Sequence, residues 1–336
     1  MAEAASEFEL GILGAGIWGT ALACAWARAG HRVALWGHTP SKMRDLAESR
    51  LHPRLGQTPL TGGVHPTAEA RVALSAPIWI SCLPVQASAG AWRDLLAEAP
   101  HRPSLLLHSS KGLLSHTHQT VSQALGPLLD LPVGTLSGPT FADEVATGLP
   151  AALVLAVPEA LTDYQAMLLQ KSLATERLRL YLSRDVVGVE LCGALKNVLA
   201  IAAGLVEELG LGHNARAALI TRGLAEMARL VEARGGRPET VMGLAGMGDL
   251  MLTATGPQSR NRRLGAALAK GLTLAEAIDT LGGQVAEGVP TTRAALDLGK
   301  EAGVDLPITE AVARLLDGDS PASAVDRLMN RNLKRE

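Results

Sequence analysis

Two side chains far apart in the chain have the types needed to move a proton. Lys196 sits in the middle of an apolar, helix-like stretch at residues 186–206. Asp249 follows the run Gly243-Leu244-Ala245-Gly246-Met247-Gly248. On a 3.6-residue period Lys196 shares a face with Val189, Gly193, Ala200 and Ala203, which are small enough to border a cleft. An ammonium there must be paired or reach water, because an unpaired buried charge is costly. Two readings stay open: a lysine snorkelling to solvent, or a proton donor beside a ligand. Asp249 likewise reads either as a helix N-terminal cap or as a carboxylate delivered by a strained glycine turn. Asn197, with Glu190 and Gly204 at a spacing of seven, lies on a neighbouring face and reads as a satisfied core amide.

A third group could hold an anion. Gln258-Ser259-Arg260-Asn261-Arg262-Arg263 packs three arginines among three other polar side chains. Guanidinium forks suit a phosphate dianion, and the alternative is a solvated basic helix face. A fourth is Gly14-Ala15-Gly16-Ile17-Trp18-Gly19, between the apolar run 8–13 and a helix-like stretch ended by Gly30. Strand, G-x-G-x-x-G and helix, followed by a second strand at 32–36, form a dinucleotide-binding context. Gly14 allows the tight turn, Gly16 lets a pyrophosphate approach the backbone, and Gly19 lets helix and strand pack closely. The N–H groups at the helix start then face the phosphates. Ser109-Ser110-Lys111-Gly112 and Ser137-Gly138-Pro139-Thr140-Phe141-Ala142 each follow an apolar run, so two polar turns fall at strand ends. The nine histidines form no H-E-x-x-H pattern, no G-x-S-x-G elbow occurs, and no metal site is expected.

These groups need elements to position them. From residue 8 to about 182, short apolar runs at 8–13, 32–36, 72–74, 78–82, 105–108, 133–136, 151–156 and 177–182 alternate with helix-like stretches. Alternation of this kind predicts an α/β Rossmann-like, doubly wound, mostly parallel sheet. Ligand then sits at the carboxyl ends of the strands, where their order reverses. Residues 51–66 read as an irregular loop. After residue 183 only helical periodicity remains, so the expected domains are 1–182, dinucleotide-binding, and 183–336, all-α. Residues 186–206 are about long enough to cross a bilayer, but Glu190, Lys196 and Asn197 interrupt them, so a buried core helix is expected.

The chain has 336 residues, 47% of them apolar, enough for two sizeable cores. A net charge of -2 with no basic half argues against a nucleic-acid partner, and 3% aromatic residues leave few platforms for stacking bases. Cys24, Cys82 and Cys192 form no ligand or disulfide pattern, which fits a reducing compartment. The first seven residues lack the basic start and apolar stretch of a secretory signal. A cytoplasmic protein is expected.

In combination the motifs resemble the NAD(P)-dependent glycerol-3-phosphate dehydrogenases of the soluble bacterial type, from about residue 8 to about 328. They are GAGIWGTALA at 14–23, SKGL at 110–113, SGPTFADEVATGLP at 137–150, GALKN at 193–197, NARAALITRGLAEM at 214–227, GMGDL at 246–250, SRNRR at 259–263 and AEGVPTT at 286–292. The resemblance implies reversible reduction of dihydroxyacetone phosphate to sn-glycerol 3-phosphate, the backbone of glycerophospholipids, with hydride from NADPH or NADH. It makes 183–336 the domain that carries substrate and catalysis, with Lys196 the proton donor or acceptor, held by Asp249. It places Lys111, Gly138, Thr140, Ser259, Arg260 and Asn261 at substrate. It places Ile17, Trp18, His38, Lys111, Ala142, Arg260, Val285 and Glu287 at cofactor, beside the glycines of the loop. A homodimer is compatible with it. Three departures stand out: residues 51–66 lack the Asn- and Leu-Pro-containing segment common in relatives, Leu83-Pro84-Val85 replaces Val-Pro-Ser, and Cys192 replaces a glycine.

Two rivals remain in view. A ketopantoate reductase-like enzyme also combines a glycine loop with a helical-domain lysine, but it has no reason for the SRNRR cluster. A non-catalytic nucleotide sensor on the same scaffold would not need Lys196 and Asp249 together.

Overall fold

The computed structural model describes residues 6–282 and 286–329. The chain forms two compact units. Among the described residues, the first comprises those up to Ser110 together with Val121–Val186; the second comprises Lys111–Thr120 and those from Val187. The expected division at 182/183 lies four residues before the observed one, and ten residues of the first half go with the second unit.

The first unit runs β1 (Leu10–Leu13), α1 (Ile17–Arg28), β2 (Val33–Trp36), α2 (Pro40–Ser49), β3 (Val64–Thr67), α3 (Ala70–Leu74), β4 (Ile78–Ser81) and α4 (Val85–Glu98). It continues with β5 (Leu106–His108), α5 (Val121–Leu129), β6 (Val133–Ser137), α6 (Ala142–Thr147), β7 (Ala151–Ala156), α7 (Asp163–Leu173) and β8 (Leu178–Ser183). The eight strands lie in the order β3-β2-β1-β4-β5-β6-β7-β8. Only the β6–β7 pair is antiparallel. The order reverses between β1 and β4, the crevice where open parallel sheets bind ligands. Two sequence expectations are corrected. Residues 72–74 belong to α3, because three apolar residues cannot display a strand period. A strand instead falls at Val64–Thr67, over the end of the expected 51–66 loop, where Pro66 is tolerated because β3 is an edge strand. The core gathers Leu10, Ile12, Leu22, Trp26, Leu35, Ile80, Leu107 and Leu155 between sheet and helices. Gly11 is what lets α3 lie against β1: a Cβ there would be 1.9 Å from the Ala73 carbonyl oxygen.

The second unit is helical: α8 (Val186–Glu208), α9 (Gly212–Ala233), α10 (Pro238–Val241), a π-helical turn at Leu244–Gly248, α11 (Asp249–Thr255), α12 (Arg260–Ala269), α13 (Leu274–Asp279), α14 (Gly288–Ala302), α15 (Pro307–Leu316) and α16 (Pro321–Met329). Glycines let α8 and α12 touch backbone to backbone. A Cβ on Gly204 would meet the Arg262 carbonyl oxygen at 1.9 Å, and one on Gly265 the Ile201 oxygen at 2.0 Å. That contact seats Ser259–Asn261, at the start of α12, against the middle of α8. α8 is long and apolar enough to cross a membrane, but 89% of its most apolar window is buried, as in a core helix. On α9, buried Glu226 accepts hydrogen bonds from the N–H groups of Ile308 and Thr309 and the Thr309 hydroxyl, satisfying the start of α15.

Candidate active site

In the second unit the two candidate proton-transfer residues meet. Lys196 projects from α8 and is 7% exposed; Asp249 opens α11 and is 1% exposed. Lys196 Nζ donates to Asp249 Oδ1 at 2.8 Å and to the Thr253 hydroxyl at 2.8 Å. Thr253 in turn donates to the Asp249 carbonyl oxygen, one helical turn back, at 2.6 Å. The other carboxylate oxygen, Oδ2, takes a 2.6 Å bond from Lys111 Nζ. One carboxylate therefore serves two ammonium groups, and Asp249 is no side-chain cap of its own helix. The π turn Leu244–Gly248 delivers it. Gly246 is packed so closely that a Cβ would lie 2.1 Å from the Val241 carbonyl oxygen.

The electrostatics follow from this sharing. Burial would raise the Asp249 carboxyl, but Lys111 and Lys196 together hold it below its ordinary value. Burial lowers Lys196 to about 8, helped by the positive charges of Lys111 and Arg260 and only partly opposed by Asp249. An ammonium with a pKa near neutrality can give and recover a proton readily. Two of its three protons are taken, by Asp249 and Thr253. Among the described residues no acceptor takes the third. The snorkelling alternative does not hold, since Lys196 is buried and bonded.

Beside this pair lies a line of amides. Asn197 donates to the Lys111 carbonyl oxygen at 3.0 Å and to that of Gly193 at 3.3 Å. Asn261 donates to Asn197 Oδ1 at 2.9 Å and accepts from the Gly288 N–H at 3.1 Å. The arginine cluster divides by role. Arg262 bonds Glu207 at 2.6 Å and the Gly256 carbonyl oxygen, and Arg263 bonds the Thr280 carbonyl oxygen. Arg260 is exposed at the first position of α12, beside Ser259, whose hydroxyl caps that helix by accepting from the Arg262 N–H.

In the first unit the glycine loop lies at the switch point. Gly14 has φ +123°, and a Cβ on it would be 2.8 Å from the Cys82 carbonyl oxygen at the end of β4. A Cβ on Gly19 would be 2.0 Å from the Gly14 oxygen, while nothing lies within 4 Å of one on Gly16. No side chain caps α1, so its leading N–H groups are left for an anion. Trp18 Nε1 is a buried donor with no acceptor among the described residues. Open space at Gly16, an uncapped helix start and an orphaned donor fit a dinucleotide. His38 is exposed just past β2, and Ala142 opens α6. Gly138, with φ +156°, and Thr140 form the turn after β6, which runs parallel to β5.

Comparison with known proteins agrees with this geometry. The description "NAD-dependent glycerol-3-phosphate dehydrogenase N-terminus" matches residues 9–162, and "NAD-dependent glycerol-3-phosphate dehydrogenase C-terminus" matches residues 185–326. A relative from Thioalkalivibrio sulfidiphilus named glycerol-3-phosphate dehydrogenase [NAD(P)+] is 47% identical, covering 98% of this chain and 99% of that one. One of the same name from Thiobacillus denitrificans is 46% identical over 98% and 99%. The crystal structure of glycerol-3-phosphate dehydrogenase from Coxiella burnetii superposes with a TM-score of 0.90 at 36% identity, covering 96% of this chain and 99% of that one. The chain belongs to the NAD-dependent glycerol-3-phosphate dehydrogenase family. Both halves match, and the α/β-plus-helical architecture is that of the family.

Within the second unit the structure brings together Lys111, Lys196 and Asp249, and it places Asn261 one amide away from Lys111. Glu287 stands at the start of α14, and Val285 lies outside the described residues. Val85, the last residue of the Leu83-Pro84-Val85 departure, begins α4 and is buried. Thr253 is the site residue that sequence reasoning missed. Its signal was available: four residues after Asp249 on a helix puts a hydroxyl on the same face.

Proposed function

We propose that Lys196 is the proton-transfer group of an enzyme that interconverts dihydroxyacetone phosphate and sn-glycerol 3-phosphate. The chain is an NAD(P)-dependent oxidoreductase of that family. When bound, NADPH or NADH supplies or takes up the hydride at the carbon that changes between ketone and alcohol. In the reductive direction negative charge grows on the carbonyl oxygen. Lys196 Nζ stabilises that charge and passes its third proton to it, leaving alcohol and a neutral amine that regains a proton from water. Asp249 and Thr253 hold Nζ by its other two protons, so that its direction is fixed. Lys111, bonded to the second carboxylate oxygen, keeps a positive charge beside the reacting oxygen throughout.

The single observation behind this reading is the buried Lys196 ammonium with two protons spent and one left. Arg260 and Ser259, at the start of α12, suit the substrate phosphate, whose binding energy is drawn away from the reacting centre. Gly138 and Thr140 are carried over from the family as further substrate contacts. Gly14, Gly16, Ile17, Trp18, Gly19, His38, Ala142 and Glu287 are carried over as the cofactor's. The role served is supply of glycerol 3-phosphate for glycerophospholipids. We place the enzyme in the cytoplasm, consistent with free thiols at Cys24, Cys82 and Cys192, and a homodimer is compatible with it. NADPH oxidation with dihydroxyacetone phosphate, and then with ketopantoate, tests the reading. Turnover of the first substrate alone is expected, and turnover of ketopantoate alone would overturn it.

A further inference from the structure

In the first unit one imidazole reaches the glycine loop from the segment between α2 and β3. It is that of His52, which is 7% exposed. The segment is tied down around it. The Arg50 guanidinium donates to the Val64 and Thr61 carbonyl oxygens at 3.0 and 2.8 Å. The Thr61 hydroxyl donates to the Cys24 carbonyl oxygen in α1 at 3.2 Å, and the His52 carbonyl accepts from the Leu55 N–H at 2.9 Å. His52 Nδ1 accepts from the Arg54 N–H at 3.2 Å. The proton of the neutral ring is therefore on Nε2. The ring's other backbone partner is Ala15, whose carbonyl oxygen needs a donor. A neutral imidazole serves both partners in this tautomer alone. Burial, and after it the charge of Arg54, holds His52 below its ordinary value, so the neutral form is the stable one.

Ala15 stands between the first two glycines of the loop. Its peptide bond to Gly16 is trans, so a carbonyl pinned toward His52 turns the Gly16 N–H the opposite way. Gly16 is exposed, and a Cβ on it would meet nothing within 4 Å. Among the described residues no backbone acceptor takes its N–H. We propose that His52 is a positioning residue that sets the peptide plane between Ala15 and Gly16, presenting the Gly16 N–H to the pyrophosphate of NADPH or NADH. This rests on the reading of the glycine loop as the cofactor's phosphate site. The charged group acting on the imidazole is Arg54, from its own segment, while Gly14-Ala15-Gly16 opposite brings no ionisable side chain. Protonation of the ring would set a second donor against the Arg54 N–H and break the arrangement.

The experiment titrates the full-length enzyme with NADPH by tryptophan fluorescence, with thermal melts to confirm folding. His52→Leu fills similar space and offers neither partner a bond. His52→Gln places an amide donor near the position of Nε2. His52→Leu should raise the Kd for NADPH by about tenfold, the scale of one buried hydrogen bond lost, with kcat at saturating cofactor kept. His52→Gln should bind nearly as the parent does. Parent-like binding by His52→Leu, or an equal loss in folded His52→Gln, would overturn the positioning role. Titration with NAD+, which is stable in acid and has no 2′-phosphate to titrate, gives a test that does not need His52→Leu to fold. As pH falls, the Kd for NAD+ should rise more steeply in the parent than in His52→Gln, and coincident curves would also overturn the role. Gly16→Ala tests the loop reading itself. If it binds NADPH like the parent, that reading fails and the role of His52 with it. If it binds weakly while His52→Leu binds like the parent, only the role of His52 fails.

Discussion

Asp249 Oδ1 lies 2.8 Å from Lys196 Nζ, joining residues 53 positions apart in the chain into one buried ion pair. The pair is unevenly balanced, because Asp249 also serves Lys111. That imbalance sets the direction of the pH and mutational effects that follow.

Removing the ammonium should remove stabilisation made mainly in the transition state. Lys196→Ala is expected to lower kcat by roughly 10²–10⁴. Lys196→Met, of similar length and without charge, should be equally inactive. NADPH affinity should hold, since the glycine loop belongs to the other unit. A folded circular-dichroism spectrum with near-normal kcat in either variant would make Lys196 structural.

The pH profile has a definite sign. Lys196 is lowered from its ordinary value to about 8, so its charged form is lost as pH rises through about 8. Reduction needs the charged form and should decline above that pH. Oxidation of glycerol 3-phosphate needs the neutral form and should rise over the same range. Initial rates in both directions with saturating cofactor measure this. Parallel profiles would separate Lys196 from the proton transfer.

Asp249→Asn tests the carboxylate. It leaves the buried Lys196 ammonium without its carboxylate, which should cost about 3–5 kcal/mol of stability. Asp249 raises the Lys196 pKa, so its loss should move the alkaline limb of reduction to lower pH. Lys111→Met should move the same limb the opposite way. Two shifts of the same sign would contradict the shared-carboxylate arrangement.

Much of this site was legible because its parts follow strong local rules. The glycine loop between β1 and α1 has the positive φ at Gly14, the open space at Gly16 and the close approach at Gly19 that its spacing called for. Lys196 and Asp249 were visible as unusual residue types in their settings, but their meeting was not, since no local pattern links α8 to α11. Asn197 is the satisfied amide its apolar helix implied, yet its partners come from three separate segments. The arginine cluster divides in a way its density does not show. Two of its three guanidinium groups are spent on Glu207 and on backbone oxygens, which only packing could reveal. β3 was hidden because an edge strand tolerates the His65-Pro66 pair that reads as loop.

Cofactor choice follows from the end of β2. NAD-specific folds usually place an acidic side chain there for the ribose hydroxyls. Here the chain reads Trp36-Gly37-His38-Thr39, and His38 is exposed. NADPH should serve at least as well as NADH, as measured by the ratio of kcat/KM values. A strong preference for NADH would contradict this.

The two later glycines of the loop should fail in different ways. Gly16 has φ -77° and ψ 179°, a backbone conformation open to any residue. Its missing side chain therefore reflects space and not strain. Gly16→Ala should fold with an unchanged melting temperature, because a Cβ there meets nothing within 4 Å. It should nevertheless raise the Kd for NADPH by about tenfold or more, since the methyl enters the room left for the pyrophosphate. Gly19→Ala should do the reverse first. Its Cβ would lie 2.0 Å from the Gly14 oxygen and 3.2 Å from the Cys82 Cβ, so α1 must move off β1. Overpacking of this kind costs about 1–3 kcal/mol or more, and the melting temperature should fall with it. Thermal melts and NADPH titration by tryptophan fluorescence separate the two outcomes. A Gly16→Ala enzyme that binds NADPH like the parent would show that the open space at this position is not where the cofactor's phosphates lie.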